Sequence, residues 1–271
     1  MIDPLNKYVE QLPIIRDLAS ELLSLTKDLA SSRSGTYAIN DFLGAMADAF
    51  LLKQIDHLKS ICILVDANQD PDALIIARSS FENMALLLWA AHGPSRENRP
   101  RQWFLTEIKE TYCRMDQSEY GDISLDSKKE SAILQYIQDY ADVLLTKAAR
   151  KKLHQGKTVS IDRNSFAIKR IPSVKNIFDE LKKKGRLDQR SYLLYQILSQ
   201  WPHGTPQGMG MVFRHDGNYL SHAENIDKYL GGSAIMFGLQ SLGNTAILFN
   251  DHFKLDFHYR LEESRKLYSQ L

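Results

Sequence analysis

The chain has 271 residues, 44% hydrophobic and 25% charged, which is the range of an ordinary globular protein with enough apolar material for a sizeable core. No segment runs to 18 apolar residues without a charge, and the opening MIDPLNKYVEQLP has neither a basic nor an apolar stretch. These features predict no membrane span, no secretory signal and a cytoplasmic location. The net charge is only +1, but residues 147–190 hold fourteen Lys/Arg against four Asp/Glu, a local +10. A basic segment of this size points to a phosphate-bearing partner, or else to a solvated connector that balances an acidic body.

Residues 5–31 are expected to form a first amphipathic helix, with Leu18, Leu22, Leu25 and Leu29 at spacings of three and four. The loop SSRSG ends it. A second helix is predicted from 39 to 65, its core stripe running through Ile39, Phe42, Met46, Ala49, Leu51, Ile55, Leu58, Cys62 and Val65. In ANQDP, Asp70 is expected as N-cap, Pro71 as the first helical residue and Asp72 as the acid facing the helix dipole. The helix that follows, ALIIARSSFENMALLLWAA, is apolar nearly all round, as a buried helix is, and stops at His92-Gly93-Pro94. The short link predicts an antiparallel hairpin of these two helices.

Further helices are predicted at 100–117, 127–154, 173–184, 187–201, 224–251 and 256–270. Residues 155–172 read as a loop or a short hairpin, and PHGTPQGMG breaks the chain after Trp201. No repeat and no period of two is present. The fold expected is therefore all-α: a multi-helix bundle built on a long antiparallel hairpin, with little or no sheet. It is read as a single helical domain over 1–271, with an N-terminal helix in 1–35, a core in 38–210 and C-terminal helices in 224–271.

Two constellations carry polar chemistry. Arg78 and Glu82 lie four apart inside the apolar third helix, with Ser79 and Asn83 as a second pair beside them. Buried charges need partners, because an unpaired one costs several kcal/mol. Such a pair either fixes helix register or serves a site. In YLLYQILSQWPHG, Tyr195, Ser199 and His203 step by four and share one helix face, with Tyr192 and Gln196 close to it. Pro202 ends that helix, which leaves His203 at the entry to a Gly-rich loop, where an imidazole can meet a ligand. Cys62 and Cys113 stand alone and read as reduced thiols. His57, beside the core stripe, reads as a satisfied core-edge histidine. His215-Asp216 lies in a predicted loop and lacks the further ligands a metal site needs, and Arg214 and His222 read as surface residues. HExxH, GxSxG, P-loop and dinucleotide motifs are absent from the sequence, and no cofactor or metal is expected.

The segments Arg78-Ser79-Ser80-Phe81-Glu82 and Tyr195-Gln196-Ile197-Leu198-Ser199 with His203-Gly204 resemble an uncharacterised, mostly bacterial helical family, a domain of unknown function. That family carries Arg-Ser-x-x-Glu on one helix and Tyr-Arg-x-Leu-Ser, then His-Gly, on a later one. The resemblance covers residues 38–210. The family is in turn loosely similar to the HEPN helical-bundle nucleases of toxin and phage-defence systems, which cut RNA without a metal. There an arginine stabilises the developing phosphate charge and a histidine separated from it by four to six residues acts as general acid or base. In this chain Gln196 stands in the place of that arginine.

Three functions follow as expectations. The first is recognition of a nucleic acid or another phosphate-bearing ligand, with Arg78, Glu82, Tyr195, Ser199 and His203 as the site, Gln196 and Ser79 beside it, and the basic segment 147–190 as the partner-facing surface. The second, implied by the resemblance, is a metal-independent ribonuclease in which His203, Arg78 and Glu82 are catalytic. The third is a non-catalytic homodimer in which the Arg78–Glu82 pair only sets helix register.

Overall fold

The computed structural model describes residues 10–33, 38, 40–93, 98–115, 127–154, 163–168, 170–188, 191–199, 213–216, 219–222 and 229–271. In chain order the helices are α1 (Leu12–Ser31), α2 (Phe42–Asp66), α3 (Asp70–Ala91), α4 (Asn98–Met115), α5 (Ser127–Asp139), α6 (Ala141–Leu144), α7 (Lys147–His154), α8 (Val174–Lys183) and α9 (Ser191–Leu198). Strands β1 (Phe213–Asp216) and β2 (Tyr219–His222) follow, then α10 (Tyr229–Phe253) and α11 (His258–Ser269). The fold is all-α, as expected, with one small antiparallel hairpin that pairs Phe213 with His222 and Asp216 with Tyr219. This corrects one reading: His215 and Asp216 sit on a strand and not in a loop.

The residues read as one domain group into two compact units, Met1–His92 with Val174–Leu271, and Gly93–Ser173. In the first unit α10 packs on α3 and α2, which pack on each other as the predicted hairpin. α1 and α11 cover α10, while α8 and α9 lie on α3. The four leucines of the expected α1 stripe, Leu18, Leu22, Leu25 and Leu29, are buried, as their spacing requires. Pro13 starts that helix near Leu12, and residues 5–9 lie outside the described residues. Two glycines let α10 approach its neighbours closely. A methyl group at Gly231 would stand 2.7 Å from Val65, and one at Gly238 would stand 2.8 Å from Leu58.

Two readings of the hairpin change. Ala49 of the expected stripe is exposed and Cys62 only half-buried, while Gln54 lies fully inside. Gln54 is satisfied there: its Nε2 donates to the Ser80 carbonyl at 2.7 Å, and its Oε1 accepts from the Ser80 hydroxyl. Asp70 is not the N-cap of α3, a place taken by Gln69. Asn68 ends α2 in the left-handed region (φ 57°), and Asp70 is the first residue of α3. Its buried carboxylate accepts the Gly231 N–H of α10 at 2.9 Å. By length and composition alone, α3 is the one described helix long and apolar enough to cross a membrane. Most of its apolar stretch is buried under α2, α8, α9 and α10.

Asp41 caps α2, accepting the Gly44 N–H at 2.8 Å, and its second oxygen lies 3.0 Å from His252 Nε2 near the end of α10. A side chain at Gly44 would collide with this carboxylate. Asp41→Ala is expected to cost about 1–2 kcal/mol from the lost cap. It would be read as a lower urea midpoint that Asp41→Asn largely restores.

The second unit has its own core of Leu105, Cys113, Ile137, Leu144, Leu145 and Phe166. The helix predicted over 127–154 is broken in two places. Leu145 is extended (φ −101°, ψ 149°) and bridges Phe166, with Thr146 N–H donating to Ser165 and Ala167 N–H donating to Leu144. The described part of 155–172 is therefore a 3₁₀ turn at Arg163–Ser165 leading into one bridge. Both cysteines are free, and burial first of all pushes the Cys62 thiol up to about 11, which keeps it protonated.

Candidate functional site: the Arg78–Glu82–Tyr195 cluster

The cluster forms where α9 meets α3. Phe178 of α8 is buried at the joint, with its ring 5.6 Å from Phe81 of α3, 5.4 Å from Tyr195 and 5.7 Å from Tyr192 of α9. Tyr192 and Tyr195 lie three apart and stack at 5.9 Å. Leu198, one turn on, is buried and anchors the end of α9. This aromatic wedge aims the Tyr195 hydroxyl at the polar edge of α3.

At that edge a single carboxylate oxygen takes two donors. Tyr195 Oη donates to Glu82 Oε1 at 2.8 Å, and Arg78 Nε donates to the same atom at 3.1 Å. Arg78 Nη2 also donates to Tyr195 Oη at 3.2 Å, which closes a three-membered network. The guanidinium carbon stands 5.4 Å from the Tyr195 ring centre. The expectation of full burial is corrected: the Arg78 and Glu82 side chains are 20% and 31% exposed. They sit at the margin of the apolar helix, because α9 covers that flank only in part. The network thus faces both the core and solvent.

The electrostatics keep Arg78 charged and Tyr195 protonated. Burial alone would lower the Arg78 pKa, but the Tyr195 hydrogen bond and the Glu82 charge more than offset it and leave it raised. Burial, followed by the bond to Glu82, raises the Tyr195 phenol above its ordinary value. At neutral pH the network is a guanidinium beside a protonated phenol, both directed at one carboxylate. An anion competing with Glu82 would meet donors already in place.

The other predicted residues are placed differently. Ser199 turns back on its own helix and donates to the Tyr195 carbonyl at 2.7 Å. It supports α9 and makes no bond to Arg78. Gln196 is exposed on α9, and Ser79 is half-buried on α3 about 100° round the helix from Arg78. Residues 200–212, and with them His203, lie outside the described residues. Among the described residues no group of three or more His, Cys, Asp or Glu converges as a metal site. His57 is half-buried with Nδ1 lacking a hydrogen-bond partner, so the satisfied histidine expected there is not found. Burial first, then Lys53, lowers its pKa.

Sequence reasoning missed two polar pairs that join distant segments. Trp89 Nε1 donates to Glu180 at 3.0 Å, which ties α3 to α8. The Asp41–His252 contact spans 211 positions. Asp41 before an apolar run is a legible helix-start signal, but nothing local marks its partner.

No curated protein and no solved structure matches the chain. The profile of one family does: Family of unknown function (DUF5677), over residues 46–220, a span of 175 of the 271 residues. It contains Arg78, Glu82, Tyr195, Ser199 and His203, the residues on which the resemblance was drawn over 38–210. The chain is a member of this family of unknown function.

Proposed function

We propose that this protein recognises a phosphate-bearing partner, in the first place a nucleic acid. The basic segment 147–190 would supply general attraction, and Arg78 would supply an oriented contact in the first unit. The observation that carries the reading is the concentration of charge, +10 over 44 residues of a chain whose net charge is +1. The described lysines of the segment, Lys147, Lys151, Lys152, Lys175, Lys182, Lys183 and Lys184, are exposed. The Arg78 network supports the reading because it holds a forked guanidinium in place at a partly open edge. The ribonuclease reading gains no support from the described residues, since Gln196 is neutral and exposed.

The test is a titration of the full chain with labelled RNA and with duplex DNA at about 50 and 200 mM salt. Binding should weaken steeply with salt, by about a thousandfold or more if six or so phosphates are neutralised. Absence of binding to both probes, or binding indifferent to salt, would overturn the proposal.

A further inference from the structure

The basic segment is divided between the two compact units. Residues 147–173 belong to the second compact unit and residues 174–190 to the first. The part in the second unit has eight Lys/Arg against one acid, Asp162, while the part in the first has six against three, Asp179, Glu180 and Asp188. Between Asp142 and Asp162 the chain has five Lys/Arg and no acid at all. In the structure α7 turns Ala149 into the second unit's core and keeps Leu153 half-buried against it, with Lys147, Lys151 and Lys152 exposed. Lys147 and Lys151 are one turn apart, about 6 Å along the axis. Only Arg150 of this helix is tied to an acid, Asp142 at 2.8 Å. On α8 the field is cut internally: Lys184 binds Glu180 at 2.7 Å and the His92 carbonyl, and Asp179 is exposed among the lysines.

From this contrast we infer that α7, and not the more conspicuous lysine run of α8, is the surface that grips the phosphate backbone of a nucleic acid. The inference rests on the phosphate-partner reading above and assigns the contact within it. Nucleic acid is favoured over an anionic membrane by what α7 lacks. A helix that lies on a bilayer buries an apolar face in it, whereas Ala149 and Leu153 of α7 are already turned into the unit's own core and only the small Ala148 is left exposed between the lysines. What remains outward is cationic and flexible, the chemistry of sequence-independent backbone contact.

The experiment compares two full-length variants of equal charge change, K147E/K151E/K152E on α7 and K175E/K182E/K183E on α8. Each is titrated with a labelled 20-base-pair DNA and a 20-nucleotide RNA across a salt series. Far-UV circular dichroism checks folding, and Lys→Gln versions replace any triple that misfolds. The α7 triple should lose at least about tenfold in affinity, and its log K against log salt slope on DNA should fall by about 2–3, near 0.9 per phosphate contact removed. The α8 triple should change the slope by less than about 1. Equal losses in both triples, or a larger loss in the α8 triple, would overturn the inference and leave the phosphate-partner reading intact. Wild-type chain that binds neither nucleic acid would overturn both.

Discussion

Phe81→Ala is expected to destabilise the first unit by about 3–5 kcal/mol, the range for deleting a fully buried aromatic ring. Phe81 has no exposed surface and makes ring contacts at 5.6 Å to both Phe178 and Phe237, so it joins α3 to α8 and to α10 at once. The flanking helices cannot collapse onto the vacated space without giving up one set of contacts for the other. For a unit of this size the loss corresponds to a fall in Tm of roughly 6–20 °C. Thermal unfolding followed by circular dichroism checks it, and a Tm within about 2 °C of wild type would contradict the packing described. Phe81→Leu should recover much of the loss, because it refills most of the volume. Phe178 also carries the Tyr195 ring, so the same variant should loosen the polar cluster as well as the core.

Glu82→Ala is expected to cost about 1–2 kcal/mol. Its Oε1 accepts from both Tyr195 and Arg78, and hydrogen bonds to a charged group contribute about 1.5–3 kcal/mol when buried. Partial exposure of the pair lowers that figure, since water can serve the stranded donors. The order Arg-then-Glu along the helix is the poorer one for a helical pair, so most of the effect is tertiary and runs through Tyr195. Tyr195→Phe in the Glu82→Ala background should therefore cost less than it does in wild type. A double-mutant cycle with no coupling would contradict the network.

How far the fold was legible follows from how local its causes are. The long hairpin of α2 and α3 was readable because periodicity and the short ANQDP link act over a few residues. The role of Asp70 was not, because its partner Gly231 is 161 positions away. Gln54 was not legible as a core residue, because its burial rests on the pairing with Ser80, 26 positions away. The break in the predicted 127–154 helix has the same origin, a bridge from Leu145 to Phe166 that overrides good helical residues. The split of the basic segment between two units had no sequence signal. Of the candidate site, the i,i+4 spacing and the phase of Tyr195 were visible beforehand. Its closure on Glu82 depends on Phe178, an aromatic that local reasoning had no cause to single out.

The most direct test of the account is the affinity of Arg78→Ala for nucleic acid, measured beside Glu82→Ala. A lost charge-assisted arginine–phosphate contact is worth about 1.5–3 kcal/mol, so Arg78→Ala should bind about ten- to a hundredfold more weakly than wild type at equal salt. Glu82→Ala, which removes the carboxylate competing for that guanidinium, should bind no more weakly than wild type. If both variants lose stability and neither changes affinity, the cluster is a register device for α3 and α9, and the site proposed here does not exist.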